Sequence, residues 1–462
     1  MDRRQFVKNT SIIAAFAGGG YLPNANDKKD AYKIIQVIKT ASDFEREKLI
    51  RAFGFKGGYL TEMWQIASKL QSQSGIEKIG IASQSVLYDD AELFAMHSEA
   101  EGNALLYILV SKALEIVKKT PFSTPVELFE KILPQVWEAG KQLTGKANLN
   151  INFVYNALVS IDNAAWLLYA AENKFTTVDA MIPAPYRAAL SHHNDKIAIM
   201  FQVPYGMPMN ELVNAAKQGY FVIKIKTGYP GSQAEMLAGD IERLTQIHTA
   251  LKDVRTNQTA NGKLIYTMDA NARYEKKETF LRYLDHAKKI GAFDQILLYE
   301  EPLTEQNDED VRDTGVRVAG DESVHDEAGA RRRLQQGYSV IVLKGIAKTL
   351  SLSMKLAKLA YELKVPCICA DLTVNPILID WHKNLACRLA PFPGLNMSLM
   401  ETNGDKNYRN WNNMVSYNPA AGASWTKVKN GVFELDDEFY KRSGGIFESS
   451  PHYEGFFTGT AG

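Results

Sequence analysis

The amino-acid sequence predicts a (β/α)8 barrel joined to an N-terminal α+β domain, and three observations lead to this fold class. From residue 196 onward, eight short apolar runs alternate with amphipathic segments over roughly 200 residues, which is the size of such a barrel. Three consecutive runs end in carboxylates, as expected where functional residues collect at the carboxyl ends of parallel strands. The 462 residues exceed what one barrel needs, so the chain has room for an additional domain.

The composition excludes several classes of partner. The chain has 53 basic and 53 acidic residues, so no charge excess favours binding to nucleic acid or to an acidic membrane surface. Apolar residues make up 45% of the chain, which is ordinary for a globular protein with a large core. The expected partner is therefore a small molecule, and homo-oligomer formation is left open.

The N-terminus carries a targeting pattern. Arg3 and Arg4 are followed by a Phe, a Lys and the short apolar run 12–17, which resembles a twin-arginine export signal. That run is too short to cross a bilayer as a helix, so no stable membrane insertion is expected apart from an uncleaved signal. We assign residues 1–30 to this signal and a linker, and expect a periplasmic or exported protein; a disordered basic start is the alternative.

Residues 31–190 are predicted to form the α+β domain. Most of this region spaces its apolar residues at three and four, which indicates helices, and its glycine-containing stretches 54–59 and 72–80 indicate mobile loops or hairpin turns. An initial strand is expected at 32–38. The predicted helices are 44–53, 61–70, 91–117, 125–139 and 161–172.

Residues 191–403 are predicted to form the barrel. The helix after the fourth strand is expected to be abbreviated, because residues 304–314 are few and acidic. Residues 404–462 are polar, glycine-rich and aromatic, and are expected to return to the N-terminal domain or to cover the barrel mouth. The predicted strands are 197–203, 221–226, 264–268, 296–299, 316–319, 339–343, 366–370 and 395–400; the helices are 209–217, 234–251, 277–290, 326–336, 349–363 and 376–389.

Three carboxylates stand at the ends of the third, fourth and fifth barrel strands. Asp269, Glu300 and Asp321 would converge on one mouth of the barrel, where three anions repel one another unless a cation lies between them. Their oxygens are hard ligands, which suit Mg²⁺ better than Zn²⁺ or copper. The alternative for each acid alone is a helix cap or a solvated loop residue.

Lysines follow the second and sixth strands. Lys224 and Lys226 are two residues apart, so both point into the barrel, and Lys344 ends the sixth strand on the opposite side. Ammonium groups close together lower each other's pKa, a nearby divalent cation lowers it further, and a neutral lysine is a competent general base. Two opposed lysines suit proton removal from one face of a substrate carbon and its return on the other.

These residues resemble a known family over roughly residues 196–403. The motifs look like those of the muconate-lactonizing subgroup of the enolase superfamily. Dipeptide epimerases are among the members of this subgroup. By this resemblance, Mg²⁺ is bound by Asp269, Glu300 and Asp321, and Lys226 and Lys344 are the acid/base pair. Lys224 assists Lys226 or orients the substrate carboxylate, and the N-terminal domain is a capping domain. The motifs are Lys224-x-Lys226, Asp269-x-Asn271, Glu300-Glu301-Pro302, Asp321-Glu322-Ser323 and Lys344.

The chain also departs from the family pattern. Many members have Lys-x-Gly-Gly after the sixth strand, where this chain has Lys348-Thr-Leu-Ser. Dipeptide epimerases carry Asp-x-Asp at the eighth strand, where this chain has Glu401-Thr-Asn403. That pair retains one carboxylate and one amide, which suits weaker binding of an amine. We expect Asn271, Glu322, Glu401 and Asn403 to bind substrate.

The predicted function is Mg²⁺-dependent racemisation or epimerisation, in which the proton α to a carboxylate is removed through a metal-stabilised enediolate. A dipeptide or an amino-acid derivative is the expected substrate. The same residues also support a lyase, a dehydratase or a cycloisomerase that uses syn-elimination. A non-catalytic periplasmic binding protein is the third reading, and it is disfavoured because burying three acids and three lysines is costly.

Overall fold

The structure is a computed structural model that describes residues 32–55 and 58–458. The predicted export signal and linker at residues 1–30 lie outside these ranges. None of the helices within them combines the length and the apolar character that crossing a membrane requires.

The N-terminal domain opens with a three-stranded antiparallel sheet of β1 (Val37–Phe55), β2 (Gly58–Ser72) and β3 (Glu77–Gln84). β1 and β2 form a long hairpin in which Gly54 pairs with Tyr59 and Phe55 with Gly58, so the described ends of the predicted glycine-containing stretch 54–59 belong to the two strands. An ion pair links the two strands: a guanidinium nitrogen of Arg46 on β1 lies 2.8 Å from a carboxylate oxygen of Glu62 on β2.

Two helices predicted in this region, 44–53 and 61–70, are wrong: both stretches are strands of the hairpin. β1 contains Glu, Lys, Arg and Leu, which favour helix locally. The middle of β2 is buried on both faces, so its apolar residues do not alternate with polar ones. Pairing between distant segments therefore overrides the local preference.

Seven helices complete the N-terminal domain. The predicted helix 91–117 is divided, because Ser98 starts a new helix through a capping box with Glu101. The longest helix packs on the sheet so closely that a Cβ at Gly80 would lie 2.1 Å from the carbonyl oxygen of Ser160, so only glycine fits there. The helices are α1 (Val86–Asp89), α2 (Ala91–Met96), α3 (Glu99–Val117), α4 (Pro125–Thr144), α5 (Ile151–Asn173), α6 (Val178–Met181) and α7 (Ala184–Arg187).

The barrel has eight parallel strands, and the last strand pairs with the first to close it, which confirms the predicted fold class. Several barrel helices begin with a polar N-cap residue. Ser232, for example, caps the helix that starts with Gln233. The strands are β4 (Lys196–Val203), β5 (Val222–Lys226), β6 (Ile265–Asp269), β7 (Ile296–Glu300), β8 (Val318–Gly320), β9 (Val340–Leu343), β10 (Cys367–Cys369) and β11 (Ser398–Glu401).

Six α-helices lie between these strands, each overlapping a predicted one. After β7 the described chain has a single 3-10 turn, Arg312–Thr314, in place of a full helix, as the short acidic segment predicted. The helices are α8 (Met209–Lys217), α9 (Gln233–Leu251), α10 (Lys277–Lys289), α11 (Glu327–Gln335), α12 (Leu350–Glu362) and α13 (Pro376–Ala386).

The C-terminal segment contacts both the barrel and the N-terminal sheet. The segment contains a β-hairpin that extends the barrel sheet, because its second strand, β13 (Val432–Glu434), pairs antiparallel with β4. Tyr408 forms a β-bridge with Leu49 of β1. The elements are α14 (Gly404–Asn407), α15 (Trp411–Tyr417), β12 (Val428–Lys429), β13 (Val432–Glu434), α16 (Asp437–Arg442) and α17 (Pro451–Gly455). Residues from Tyr32 onward form one unit, so the proposed limits between domains stay predictions.

A buried carboxyl group ties the N-terminal domain to the barrel. Asp162 of α5 accepts hydrogen bonds from the hydroxyl group (2.5 Å) and the backbone N–H (3.1 Å) of Ser351, in the first turn of α12. Trp166 donates to the same hydroxyl group at 3.1 Å. Burial raises the pKa of Asp162 to about 7, although the hydrogen bonds from Ser351 act in the opposite direction.

This raised pKa predicts how stability changes with pH. Above about pH 4 the unfolded chain releases the Asp162 proton that the folded protein keeps, so the contribution is present at low pH and is lost as pH rises to about 7. The free energy of unfolding of the native chain relative to Asp162→Asn should fall by about 1.4 kcal/mol per pH unit in that window. Urea unfolding of both proteins across the window measures it, and parallel pH profiles would contradict the assignment.

Candidate active site

The predicted site residues lie at the carboxyl ends of the barrel strands, beneath the N-terminal domain. In the closed strand order, β5 and β9 are separated by three strands in either direction, so the lysines that they carry face each other across the barrel. Lys224, Lys226 and Lys344 are each at most 8% exposed. Charges buried to this extent need partners.

Lys224 lies among three carboxylates. Its Nζ is 3.0 Å from Oδ2 of Asp269, 2.8 Å from Oε2 of Glu300 and 2.9 Å from Oε2 of Glu401. Two of its three N–H groups donate hydrogen bonds, to Glu300 and to Glu401, and the contact with Asp269 is an ion pair. The carboxylates of three strands therefore hold Lys224 in place.

Lys226 is held by residues that follow β6. Its Nζ donates to Oδ2 of Asp269 at 2.5 Å and to Oδ1 of Asn271 at 3.0 Å. The Asn271 amide in turn donates to Oε1 of Glu322 at 2.9 Å. Asn271 and Glu322, which we expected to bind substrate, thus connect Lys226 to the loop after β8.

Lys344 is held by Asp321 and by an aromatic ring of the N-terminal domain. Its Nζ lies 2.5 Å from Oδ2 of Asp321 and 4.7 Å from the centre of the Tyr88 ring. Lys348 lies on the other side of Asp321, with Nζ 3.5 Å from Oδ1 and 2.7 Å from the backbone carbonyl. The two lysines therefore fix Asp321 at both carboxylate oxygens.

Glu301 supports the same loop from β7. Its backbone has a positive φ of 37°, and its carboxylate accepts the backbone N–H of Asp321 at 2.6 Å and the hydroxyl group of Ser323 at 2.7 Å. Arg333 donates to that hydroxyl group at 2.8 Å. The strained conformation is thus held by hydrogen bonds that fix the position of Asp321.

The three carboxylates predicted to bind a metal influence one another's charge. Burial raises the pKa of Glu300 well above its usual value, and the charges of Asp269 and Asp321 raise it further. Burial also acts on Asp269 and Asp321, but the neighbouring lysines outweigh it and hold both pKa values below the usual range. The charges of the three carboxylates therefore depend on one another and on the neighbouring lysines.

The expectation that the lysines have lowered pKa values is wrong for Lys224 and Lys344. Burial alone lowers the pKa of Lys224, but the charges of Asp269, Glu300 and Glu401 together raise it well above its usual value. Burial lowers the pKa of Lys344 as well, and Asp321 is the main group that reverses this effect. Repulsion between the lysines lowers their pKa values, but the surrounding carboxylates raise these pKa values by more.

The carboxylate oxygens of Asp269, Glu300 and Asp321 are donors that suit a hard divalent cation. In this structure, however, lysine side chains lie between these carboxylates and set the distances between them. Oε1 of Glu300 is buried without a hydrogen-bond donor, and neither carboxylate oxygen of Asp321 has one, although both lie near lysines. Within residues 32–55 and 58–458, no three Asp, Glu, His or Cys side chains are spaced to hold a metal ion. Lys224 lies between Asp269 and Glu300, which explains this separation.

The eighth-strand pair is already satisfied by the protein. Oε1 of Glu401 accepts from the side chain of Gln202 at 2.8 Å, and Oε2 accepts from Lys224. The Asn403 amide accepts from the hydroxyl group of Thr373 at 2.8 Å and donates to Gln202 at 3.0 Å. Hydrogen bonds within the protein therefore position both side chains, and their binding to a substrate stays a prediction.

A cavity of about 40 Å³ lies among these side chains, with room for roughly three water molecules. Glu300, Asp321 and Glu322 do not line it. A second cavity of about 300 Å³ adjoins it at Phe53, Gln202 and Asn403. The small cavity is lined by Lys224, Lys226, Asp269, Asn271, Lys344, Glu401, Asn403, Phe53, Leu60, Tyr88, Gln202, Asp371, Leu372 and Thr373.

Several of these lining residues were missed by sequence reasoning. Leu60, from the β1–β2 hairpin, and Tyr88 of α1 reach the site from the N-terminal domain, and no motif marks them. Asp371 follows β10, and burial, with a contribution from Glu401, raises its pKa to about 7. Its position at a strand end was the one signal that could have identified it.

Comparisons with known proteins agree with this arrangement. Residues 209–418 match the family described as enolase C-terminal domain-like. No curated protein sequence matches the chain. At these low identities the structural similarities below establish the fold.

Three solved structures illustrate the similarity. A mandelate racemase/muconate lactonizing protein from Herpetosiphon aurantiacus has a TM-score of 0.60 and 15% identity, with 87% of this chain and 96% of that one covered. A dipeptide epimerase from Enterococcus faecalis V583, complexed with Mg and L-Leu-L-Tyr, has a TM-score of 0.60 and 15% identity, with 87% and 97% covered. N-succinyl Arg/Lys racemase from Bacillus cereus has a TM-score of 0.57 and 14% identity, with 82% and 89% covered.

Proposed function

We propose that this chain, whose barrel matches the enolase C-terminal domain-like family, is a member of the enolase superfamily. On this premise, we propose that it is a racemase or epimerase that acts at the carbon α to a carboxylate. One observation carries the proposal: Lys226 and Lys344 lie at the ends of strands that face each other across the barrel, and both line one small cavity. Two-sided proton transfer needs such a pair, whereas ligand capture does not.

The chain's own residues position the two lysines for this reaction. Asp269 and Asn271 hold Lys226, and Asp321 and the ring of Tyr88 hold Lys344. One lysine takes the proton as the Cα–H bond breaks, in its neutral form, which the positive charge of a bound divalent cation would favour. The other lysine, as an ammonium group, gives a proton to the opposite face of the same carbon, and the configuration is inverted.

Mg²⁺ is the cofactor that we propose for this site. Asp269, Glu300 and Asp321 would hold it, since all three are buried carboxylates on adjacent strands and Oε1 of Glu300 has no donor. The cation would offset the negative charge that develops on the substrate carboxylate as the α-proton leaves. The dipeptide epimerase from E. faecalis, which has the same fold, was solved with Mg.

The cavities indicate how a substrate is accommodated. The cavity of about 40 Å³ has room for little beyond a carboxylate and its α-carbon. We infer that the remainder of the substrate occupies the adjoining cavity of about 300 Å³. Dipeptides and N-acylated amino acids, which have a carboxylate at one end and an extension at the other, are therefore the first compounds to test.

The test is a screen of such compounds with Mg²⁺ in D₂O. The proposal predicts deuterium at the α-carbon together with inversion of configuration, detected by mass spectrometry and chiral chromatography. Formation of an unsaturated or cyclised product would instead identify a lyase or cycloisomerase. Binding without any exchange of the α-proton would support a binding protein and contradict both enzyme readings.

A chelator should lower the thermal stability of the protein. A cation that binds the folded chain and not the unfolded one stabilises the fold by roughly 2.7 kcal/mol at about 100 times its Kd, and a chelator removes this contribution. Thermal unfolding with added Mg²⁺, and with EDTA, measures the difference. A melting temperature that is the same in both would contradict the cation site.

A further inference from the structure

Lys224 and the proposed cation require the same carboxylates. The ammonium group of Lys224 contacts Asp269 and Glu300, which are two of the three proposed ligands. Both carboxylates are 1% exposed, so water cannot replace either partner. A divalent cation that binds there has to compete with the ammonium group for both.

The third partner of Lys224 is outside the proposed ligand set. Glu401 stands on β11, which is separated from β5 by β4, whereas Asp269 and Glu300 stand on β6 and β7, on the other side of β5. Its Oε2 lies 2.9 Å from Nζ of Lys224. Glu401 can therefore remain paired with Lys224 while the other two carboxylates bind a cation.

Glu401 is held in place for this contact. Gln202 donates to its Oε1 at 2.8 Å, and the backbone N–H of Asp371 donates to its Oε2 at 3.3 Å. The side chain is 3% exposed. With donors on both oxygens, the carboxylate is fixed toward Lys224.

We propose that Glu401 is a positioning residue that retains the ammonium group of Lys224 and so leaves Asp269 and Glu300 able to bind a divalent cation. The proposal rests on the cation site of the proposed function. It assigns the eighth-strand carboxylate to cation binding, in contrast to the expected contact with a substrate amine. Without Glu401, Lys224 has only Asp269 and Glu300 as partners and competes more strongly for them.

The test measures cation binding directly and needs no substrate. The free Mn²⁺ signal in electron paramagnetic resonance gives the Kd of Mn²⁺ for the native chain, Glu401→Gln and the double variant Lys224→Met/Glu401→Gln. We expect Glu401→Gln to weaken binding by about tenfold or more, because a buried ammonium group then holds the ligands alone. In the double variant the competitor is gone, so the Kd should return to within about threefold of the native value.

Two further variants complete the design. Glu434→Gln removes a carboxylate that pairs with Lys429 at 2.8 Å on the surface, and it should leave the Kd unchanged. If Glu401→Gln does not fold, Gln202→Met removes only one donor to Glu401 and should weaken binding by about threefold.

The outcomes separate this inference from the proposed function. Native-like binding by Glu401→Gln, or by Gln202→Met where that variant is used, would overturn the role of Glu401 and leave the cation site intact. Weakened binding that the double variant does not restore would also overturn it, because competition with Lys224 would then not be the cause. Failure of the native chain to bind Mn²⁺ would overturn the cation site and this inference with it.

Discussion

Lys226→Ala and Lys344→Ala should each abolish net epimerisation, yet each variant should still exchange the α-proton of one substrate epimer with solvent. The remaining lysine reaches only one face of the α-carbon, because the two stand on opposite strands of the barrel. The two variants should therefore act on opposite epimers. Where the missing base is required, exchange should slow by about 10²-fold or more. Proton NMR of each epimer in D₂O measures this.

A surface lysine provides the control for this pair. Lys358→Ala removes a partly exposed lysine of α12 that pairs with Glu362 and contacts none of the proposed site residues, and it should leave both exchange rates unchanged. If Lys226→Ala and Lys344→Ala exchanged the same epimer, the opposed arrangement of bases would be wrong. A single-base elimination would then account better for the site.

Lys224→Met should destabilise the folded protein by about 3–5 kcal/mol, because it leaves buried carboxylates without their shared ammonium group. Lys224 is 1% exposed and contacts Asp269, Glu300 and Glu401. Urea unfolding measures the loss. The matched variant Lys358→Met breaks a surface ion pair and should cost less than about 1 kcal/mol.

Comparable unfolding curves for Lys224→Met and Lys358→Met would contradict this picture. That result would mean that Asp269, Glu300 and Glu401 are neutralised by something other than Lys224. Addition of Mg²⁺ separates the two effects: the cation should recover part of the stability lost in Lys224→Met, because it neutralises two of the same carboxylates.

The barrel could be predicted from the sequence because its elements are local and regular. Each strand is a short apolar run and each intervening helix shows the spacing of an amphipathic segment, so no long-range information is needed. The strand ends then place the lysines and the carboxylates on one mouth. Those positions follow from the repeat of the fold itself.

The N-terminal hairpin could not be predicted in the same way. The residues of β1 and β2 favour helix by composition, and what makes them strands is their pairing, as between Phe44 and Ile66. The hairpin of β12 and β13 did carry a signal that went unused. Asn430 and Gly431, both with positive φ, form the two-residue Asn-Gly turn that typically joins antiparallel strands.

The candidate site was predictable in its motifs and not in its contacts. Tyr88 and Gln202 reach it from segments whose position depends on the assembled fold. The contacts of Lys224 likewise join β5 to β11 across 177 residues of sequence. The pKa of Lys224 depends on these distant partners, which is why its predicted direction was wrong.

The most direct test of the account follows one substrate epimer with the native enzyme and Mg²⁺ in D₂O. Proton transfer between opposed lysines predicts that the product epimer carries deuterium at its α-carbon from the first turnover. The second lysine draws its proton from solvent, so it delivers deuterium. Product that keeps the original α-proton, or a complete absence of exchange in every compound that binds, would contradict the account.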